Sequence, residues 1–213
     1  MGSLILVRHS ITAASASGRN LGRQSDPPLA PEGADLAGRL GATLALELAE
    51  LPHDELRLLS SPARRCRQTS EAIAAGIGVD AGRVEVQLGL LEIDYGEWDG
   101  LTAEECRERD PGLRAAWEAD PFATRCPGGE SGADVAERAF AVLGPLEAWL
   151  ADDLARCARV DAHNHMKRLR LCALFGWPMS EYRERLLQDP AGYSLVTFGS
   201  GVPIIRRVNA APA

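Results

Sequence analysis

Four short segments of this chain carry side chains suited to moving a phosphoryl group. Arg8-His9 follows an apolar run, Arg64-Arg65 lies near a helix start, Glu92 sits in a loop, and His163 lies far downstream. A neutral imidazole can attack phosphorus, guanidinium forks can hold the nonbridging oxygens, and a protonated carboxyl can deliver a proton to the leaving oxygen. Each residue also has an ordinary structural use. A strand-end histidine can bond to backbone, most helix arginines are solvated, and Asp94, Glu97 and Asp99 compete with Glu92 as the acid. His165, two residues past His163, hints at a metal pair, but no matching carboxylate cluster accompanies it, so neither metal nor cofactor is expected. His53, between Pro52 and Asp54, reads as a surface loop residue.

Residues this far apart in sequence can act together only if the elements before them deliver them to one place. Leu4 to Val7 is a continuous apolar run, the pattern of a strand buried on both faces, and it hands Arg8-His9 to its C-terminal end. In open α/β sheets that end is where ligands bind. Residues 13–30 read as a Gly/Pro-rich loop. Pro31 opens a helix whose Leu36, Leu40, Leu44 and Leu48 form an apolar stripe. Leu56 to Ser60 reads as a second strand, followed by a helix starting at Ser61-Pro62 and ending near Gly76. Val84 to Val86 reads as a third. Thr102 with Glu105 forms a capping box for a helix to about Arg109, and Pro111, Pro121 and Pro127-Gly128-Gly129 then punctuate a loop-rich insertion at about 100–131. Ser131 caps a long helix carrying Val135, Val142, Leu146, Trp149 and Leu150. A fourth strand should precede His163, although Arg159 and Asp161 are more polar than a central strand requires. A helix from about His165 stops at Gly176-Trp177-Pro178, Ser180 to Gln188 reads as a short helix, and Ser194 to Phe198 with Val202 to Val208 reads as a closing hairpin. Alternating strands and helices with no internal repeat or linker predict one α/β domain over 1–213, a mostly parallel sheet covered on both faces.

Composition narrows the partners. The chain has 213 residues, 46% hydrophobic and 25% charged, with Lys+Arg 23 against Asp+Glu 30 and a formal charge of −7. That balance disfavours nucleic acid or an anionic membrane as the main partner, but not a small anionic metabolite met by a local arginine cluster. Lys167 is the sole lysine, so nearly all positive charge is guanidinium, whose planar fork matches phosphate. Five scattered cysteines without a Cys-x-x-Cys pair, no signal-peptide pattern and no apolar run of about 18 residues predict a cytoplasmic protein with reduced thiols. The C-terminal hairpin offers an edge through which two copies could pair as a homodimer.

The segment Leu6-Val7-Arg8-His9-Ser10-Ile11-Thr12 resembles the Arg-His-Gly signature of the histidine phosphatase superfamily, which includes the phosphoglycerate mutases. Four more segments match in the same order: Ser61 to Thr69, Leu91 to Gly100, Pro127-Gly128-Gly129-Glu130-Ser131, and Ala162-His163-Asn164-His165. The resemblance spans about residues 4 to 178 and implies a three-layer αβα sandwich of phosphoglycerate mutase type. It implies His9 as the nucleophile that becomes phosphohistidine and Glu92 as the general acid. His163, Arg8 and Arg65 would hold the phosphoryl group with no metal, and Ser15 and Asn164 would add contacts to it. Ser10 and Asn164 replace the family's usual glycines, and Ser15 stands where many relatives place an asparagine. Arg19, Arg23 and Gln24, in the loop after His9, would line the substrate entrance. The Leu91–Gly100 and Pro-Gly-Gly-Glu-Ser segments look most like α-ribazole phosphatases and broad-specificity relatives. The expectation is therefore hydrolysis of a small phosphorylated metabolite. A phosphoglycerate mutase, or a catalytically silent relative that binds phosphorylated ligands, is the alternative.

Overall fold

The computed structural model describes residues 2–49 and 55–213; His53 lies outside them. Six strands form one sheet: β1 (Gly2–Arg8), β2 (Leu56–Ser60), β3 (Val84–Val86), β4 (Cys157–Ala162), β5 (Tyr193–Phe198) and β6 (Ile204–Ala210). Their order is β3-β2-β4-β1-β5-β6. β3, β2, β4 and β1 run parallel, and β5 and β6 continue the sheet as antiparallel strands. The α-helices among the described residues are α1 (Ala13–Ala16), α2 (Pro31–Leu48), α3 (Arg64–Gly76), α4 (Ala103–Arg109), α5 (Pro111–Ala119), α6 (Gly132–Asp152) and α7 (Asn164–Phe175). Among the described residues no helix is long and apolar enough to cross a membrane.

The unbroken apolar run of β1 is explained by its two neighbours. Ile5 and Val7 pack with Leu40 and Leu44 of α2 and Ile73 of α3 on one face of the sheet. Leu4 and Leu6 pack with Val135, Leu143 and Leu150 of α6 and Met166 and Leu169 of α7 on the other. Alternate side chains of a strand point to opposite faces, so a strand covered on both sides has no polar positions left. The result is the expected three-layer sandwich.

The polar residues of β4 have a local solution. Ala158, Val160 and Ala162 face α6 and α7, and Arg159 and Asp161 take the alternate face under α3. Arg159 Nε donates to Asp161 Oδ2 at 2.9 Å, and Arg159 Nη2 donates to the Ser70 carbonyl at 3.0 Å and hydroxyl at 2.7 Å. Both side chains are fully buried. Breaking such a pair strands a buried charge, so Asp161→Ala should cost about 3–5 kcal/mol. The double change Arg159→Met with Asp161→Leu should recover most of that loss, as read by urea denaturation.

Several local expectations are corrected. The 13–30 segment contains α1, held by a capping box in which Thr12 and Ser15 bond reciprocally. Residues 111–119, expected as loop, form α5 with Pro111 at its first turn and Trp117 buried. α3 begins at Arg64 rather than at Pro62, and the Ser61 hydroxyl ahead of it accepts from the Ala63 amide at 3.4 Å and faces His163 Nε2 at 2.8 Å. Ser180 to Gln188 forms only a 3-10 turn at Met179–Glu181. The chain then turns back so that the Gln188 carbonyl can accept from Arg8 Nη1 at 2.6 Å. β6 starts at Ile204 rather than Val202, because residues 199–203 make the turn.

Candidate active site

Parallel register brings the C-terminal ends of β1, β2 and β4 level. Arg8 pairs with Ala162 and Ser60 with Asp161, so His9, Ser61 and His163 leave the sheet side by side. The His9 amide bonds to the Ala162 carbonyl at 3.0 Å, and the Ser61 amide to the Asp161 carbonyl at 2.9 Å. The His9 and His163 rings lie 5.3 Å apart between centroids. Lys167 is fully buried beneath them, and its Nζ donates at 2.7 Å to the Gly192 carbonyl, which also accepts from the Arg8 amide. This anchors the end of β1.

Both histidines are buried and neutral. The Ser10 carbonyl lies 2.8 Å from His9 Nδ1, so Nδ1 carries the proton and Nε2 keeps its lone pair. Burial first, then the Arg65 and Arg8 charges, holds His9 well below the ordinary histidine range. The same two causes, burial and Arg65, do so for His163. Arg65 Nη2 lies 3.3 Å from His163 Nδ1; a guanidinium can only donate, so the His163 proton sits on Nε2 and points to Ser61 Oγ at 2.8 Å.

Arg65 is fully buried and braced from the loop after α1, donating to the Gly22 carbonyl at 3.0 Å. Arg64 and Arg67, on the same helix, are exposed. Glu92 is buried; its Oε1 accepts from the Ile93 amide at 2.9 Å and its Oε2 from the Asn164 amide, in the first turn of α7, at 3.1 Å. Burial raises its pKa despite the opposing Ile93 hydrogen bond and the Arg65, Arg8 and Arg138 charges. Desolvation wins because, among the described residues, the carboxyl has no direct ion pair.

A cavity of about 110 Å³ opens over this cluster, lined by Arg8, His9, Ser15, Glu92 and Asn164, together with Arg19, Tyr95 and His165. Arg65 and His163 do not line it; they lie buried beside His9. The placement of the other expected residues is mixed. The Ser15 hydroxyl donates to the Thr12 carbonyl at 2.9 Å, so it meets the cavity with its proton engaged. Among the described residues, Asn164 Oδ1 is buried without a partner, as is the Ser10 hydroxyl. Arg19 lines the cavity while bonding to Glu105 at 2.9 Å. Arg23 and Gln24 do not line it: Arg23 bonds to both oxygens of Glu130 at 2.7 Å, and Gln24 Nε2 donates to the Gly96 carbonyl at 2.8 Å. Both fasten loops together, because they lie beside the Glu92 and Gly129 segments rather than over His9.

Sequence reasoning missed Arg138, on α6. Its guanidinium donates to the carbonyls of Gly89, Leu91 and Glu92 and to Glu130, pinning the loop that carries Glu92. Nothing local marks such a residue; only the packing of α6 against that loop does. The two separate glycine segments also find their reason here. A Cβ on Gly96, whose φ is +54°, would come within 2.0 Å of the Pro127 carbonyl oxygen, so the loop after Glu92 can nest against Pro127-Gly128-Gly129 only with glycine there.

A sequence model of the histidine phosphatase superfamily (branch 1) matches residues 4–211. Phosphoserine phosphatase 1 of Hydrogenobacter thermophilus is 30% identical over 209 residues, covering 98% of this chain and 92% of that protein. The acid phosphatase of Mycobacterium tuberculosis is 33% identical over 203 residues, covering 93% and 88%. Among solved structures, a mycobacterial glucosyl-3-phosphoglycerate phosphatase in complex with VO3 superposes with a TM-score of 0.81 at 25% identity, over 99% of this chain and 100% of that one.

Proposed function

The chain belongs to the histidine phosphatase superfamily, branch 1, and is a phosphatase; from that premise we propose that it hydrolyses a small phosphomonoester through a phosphohistidine on His9. His9 Nε2 attacks phosphorus and the ester P–O bond breaks, while the Glu92 carboxyl gives its proton to the departing alcohol oxygen. Water then attacks the phosphohistidine, giving a proton to the Glu92 carboxylate, and the N–P bond breaks to release phosphate. Arg8 and Arg65 hold the nonbridging oxygens through charge-assisted bonds, and His163, becoming protonated beside the phosphoryl dianion, adds a third donor. Asn164 contributes at the rim. No step calls on a metal.

The observation that carries this reading is the protonation pattern. A buried imidazole is held neutral with Nε2 unprotonated, 5.3 Å from a second histidine and beside a carboxyl whose pKa is raised. The nucleophile thus stands in the state the first step needs, and the acid keeps its proton to a higher pH than an ordinary glutamate does. Screening small phosphomonoesters by phosphorus NMR with chelator present tests it. Inorganic phosphate as product is expected; an isomerised ester would indicate a mutase, and no turnover would indicate a silent binder.

The pinning of the Glu92 loop should be visible in rate. Arg138→Ala should lower kcat on alkyl phosphates about 10²-fold, as expected for a misplacement of about 1 Å, with the far-UV circular dichroism unchanged. A kcat within twofold of the parent would show that Arg138 does not position Glu92.

A further inference from the structure

Arg8 is lightly tied for a residue that must hold a phosphoryl group in one geometry. Among the described residues its guanidinium makes one hydrogen bond, from Nη1 to the Gln188 carbonyl at 2.6 Å, and its Nε is buried without a partner. Strand pairing fixes the Arg8 backbone, but a long flexible side chain separates that backbone from the cavity. Where the guanidinium points therefore depends on where the Gln188 carbonyl stands.

That carbonyl is one end of a peptide group whose other end is also held. The Asp189 amide, in the same plane as the Gln188 carbonyl, donates to Asn209 Oδ1 at 2.7 Å. Asn209 Nδ2 donates in return to Asp189 Oδ2 at 2.7 Å, so one side chain grips both the amide and the carboxylate of Asp189. A peptide group is rigid and planar, so Arg8 and Asn209 are bonded to opposite ends of one plate. A hydrogen bond at its N–H also polarises its C=O and strengthens the acceptor offered to Arg8.

The backbone of β6 is shaped to deliver this side chain. Tyr193 pairs with Ala210 and Leu195 with Arg207, so Val208 and Asn209 together oppose Ser194 in a β-bulge. Asn209 takes a φ of +51° there, a conformation that asparagine tolerates better than most residues. Gly192 leaves room for it, since a Cβ at that position would come within 2.4 Å of Asn209 Oδ1. The Asn209 amide is neutral, so it fixes the Asp189 carboxylate without cancelling its charge. Burial lowers the Arg8 pKa, and the Glu92 and then the Asp189 charge oppose that effect. Asp189 thus favours the cationic form of the guanidinium that its own peptide group orients.

We propose that Asn209 is a positioning residue for Arg8, aiming its guanidinium at the phosphoryl oxygens through the Gln188–Asp189 peptide group. Asn209 lies on the outermost strand and does not line the cavity, so it acts only through Arg8. This rests on the reading of Arg8 as a phosphoryl ligand.

The test uses inorganic phosphate as the probe and titration calorimetry of the full chain in four forms: parent, Asn209→Gly, Arg8→Ala and the double variant. Glycine suits the positive φ, so the change removes the two bonds to Asp189 and leaves the bulge. Asn209→Gly should weaken phosphate binding about 10-fold when Arg8 is present, the scale of a hydrogen bond to a charged group. It should weaken binding less than about twofold when Arg8 is already alanine. A merely structural role would weaken phosphate equally in both backgrounds. That result overturns the proposal, as does an unchanged Kd in Asn209→Gly alone. A second measurement needs no change at Asn209. Saturating phosphate should shift the NMR resonances of the Asp189 amide and the Asn209 side-chain amide in the parent, and leave both in place in Arg8→Ala. Resonances that stay put in the parent, or that move equally without Arg8, overturn the proposal. A Kd unaffected by Arg8→Ala itself would instead undo the reading of Arg8 as a phosphoryl ligand. Absence of phosphate release from every ester would undo the phosphatase reading.

Discussion

His9→Ala is expected to remove turnover by on the order of 10⁴-fold or more, the scale seen when a covalent nucleophile is lost. The protein should remain folded. Among the described residues the His9 side chain makes one hydrogen bond, from Nδ1 to the neighbouring Ser10 carbonyl, and β1 is held by its own ladder to β4 and β5. The diagnostic is the intermediate. Brief mixing of the parent protein with a radiolabelled phosphomonoester, followed by denaturation, should trap a phosphoenzyme that survives alkali and falls apart in acid. The alanine variant should trap none. A normal yield of labelled variant would remove His9 from the role. Because His9 is held well below the ordinary histidine range, the parent should keep its nucleophile unprotonated down to mildly acidic pH, and the acid limb of kcat/KM should lie below pH 6.5, the ordinary histidine value.

Glu92→Gln should slow alkyl phosphates by about 10²–10⁴-fold and aryl phosphates far less, because a phenolate leaves without needing a proton. Glutamine keeps the shape, and its single amide oxygen can still accept from one of the two amides, Ile93 or Asn164, that now hold the carboxyl; Arg138 pins the loop independently at the Glu92 carbonyl, so the loop should stay in place. The pH dependence has a definite sign. The acid form is the active one in the first step, and burial raises the Glu92 pKa. Activity on alkyl esters should therefore fall as pH rises through that raised value. The fall should vanish in the glutamine variant, which has no proton to lose. Profiles of kcat/KM from about pH 4 to 8 for one alkyl and one aryl ester decide the matter. Equal slowing of both esters, or an alkaline limb that persists in Glu92→Gln, would assign the acid elsewhere.

The extent to which the site was legible differs residue by residue. Arg8 and His9 were readable because an apolar run ends in two charged-type residues, and a strand buried on both faces can end that way only at its tip. His163 was harder to place, since Arg159 and Asp161 spoil the apolar pattern of β4. Their mutual ion pair under α3 is a contact between alternate residues of one strand, and periodicity has no means of distinguishing it from exposure. The 180–188 segment shows the reverse failure. It has helical composition, yet the chain turns so that the Gln188 carbonyl meets Arg8, a contact 180 residues away in sequence. Arg23 and Gln24 misled for a related reason. A Gly-rich loop after His9 looks like an entrance, and whether its side chains face the opening or clamp the neighbouring loop depends on where Glu130 and Gly96 come to rest.

By itself, the sequence determined the strands in chain order, the helices α2, α3, α4, α6 and α7, the mostly parallel sheet and the set of imidazole, guanidinium and carboxyl groups that parallel strands could deliver to one edge. Those follow from periodicity and residue chemistry, which are local. Only the tertiary structure decided which nitrogen of His9 and of His163 carries the proton, that Glu92 is desolvated with no ion pair among the described residues, and that Tyr95, His165 and Tyr182 are hydrogen-bonded in a row. Protonation depends on the dielectric and on partners brought in from other elements, and neither exists until the chain has closed around them.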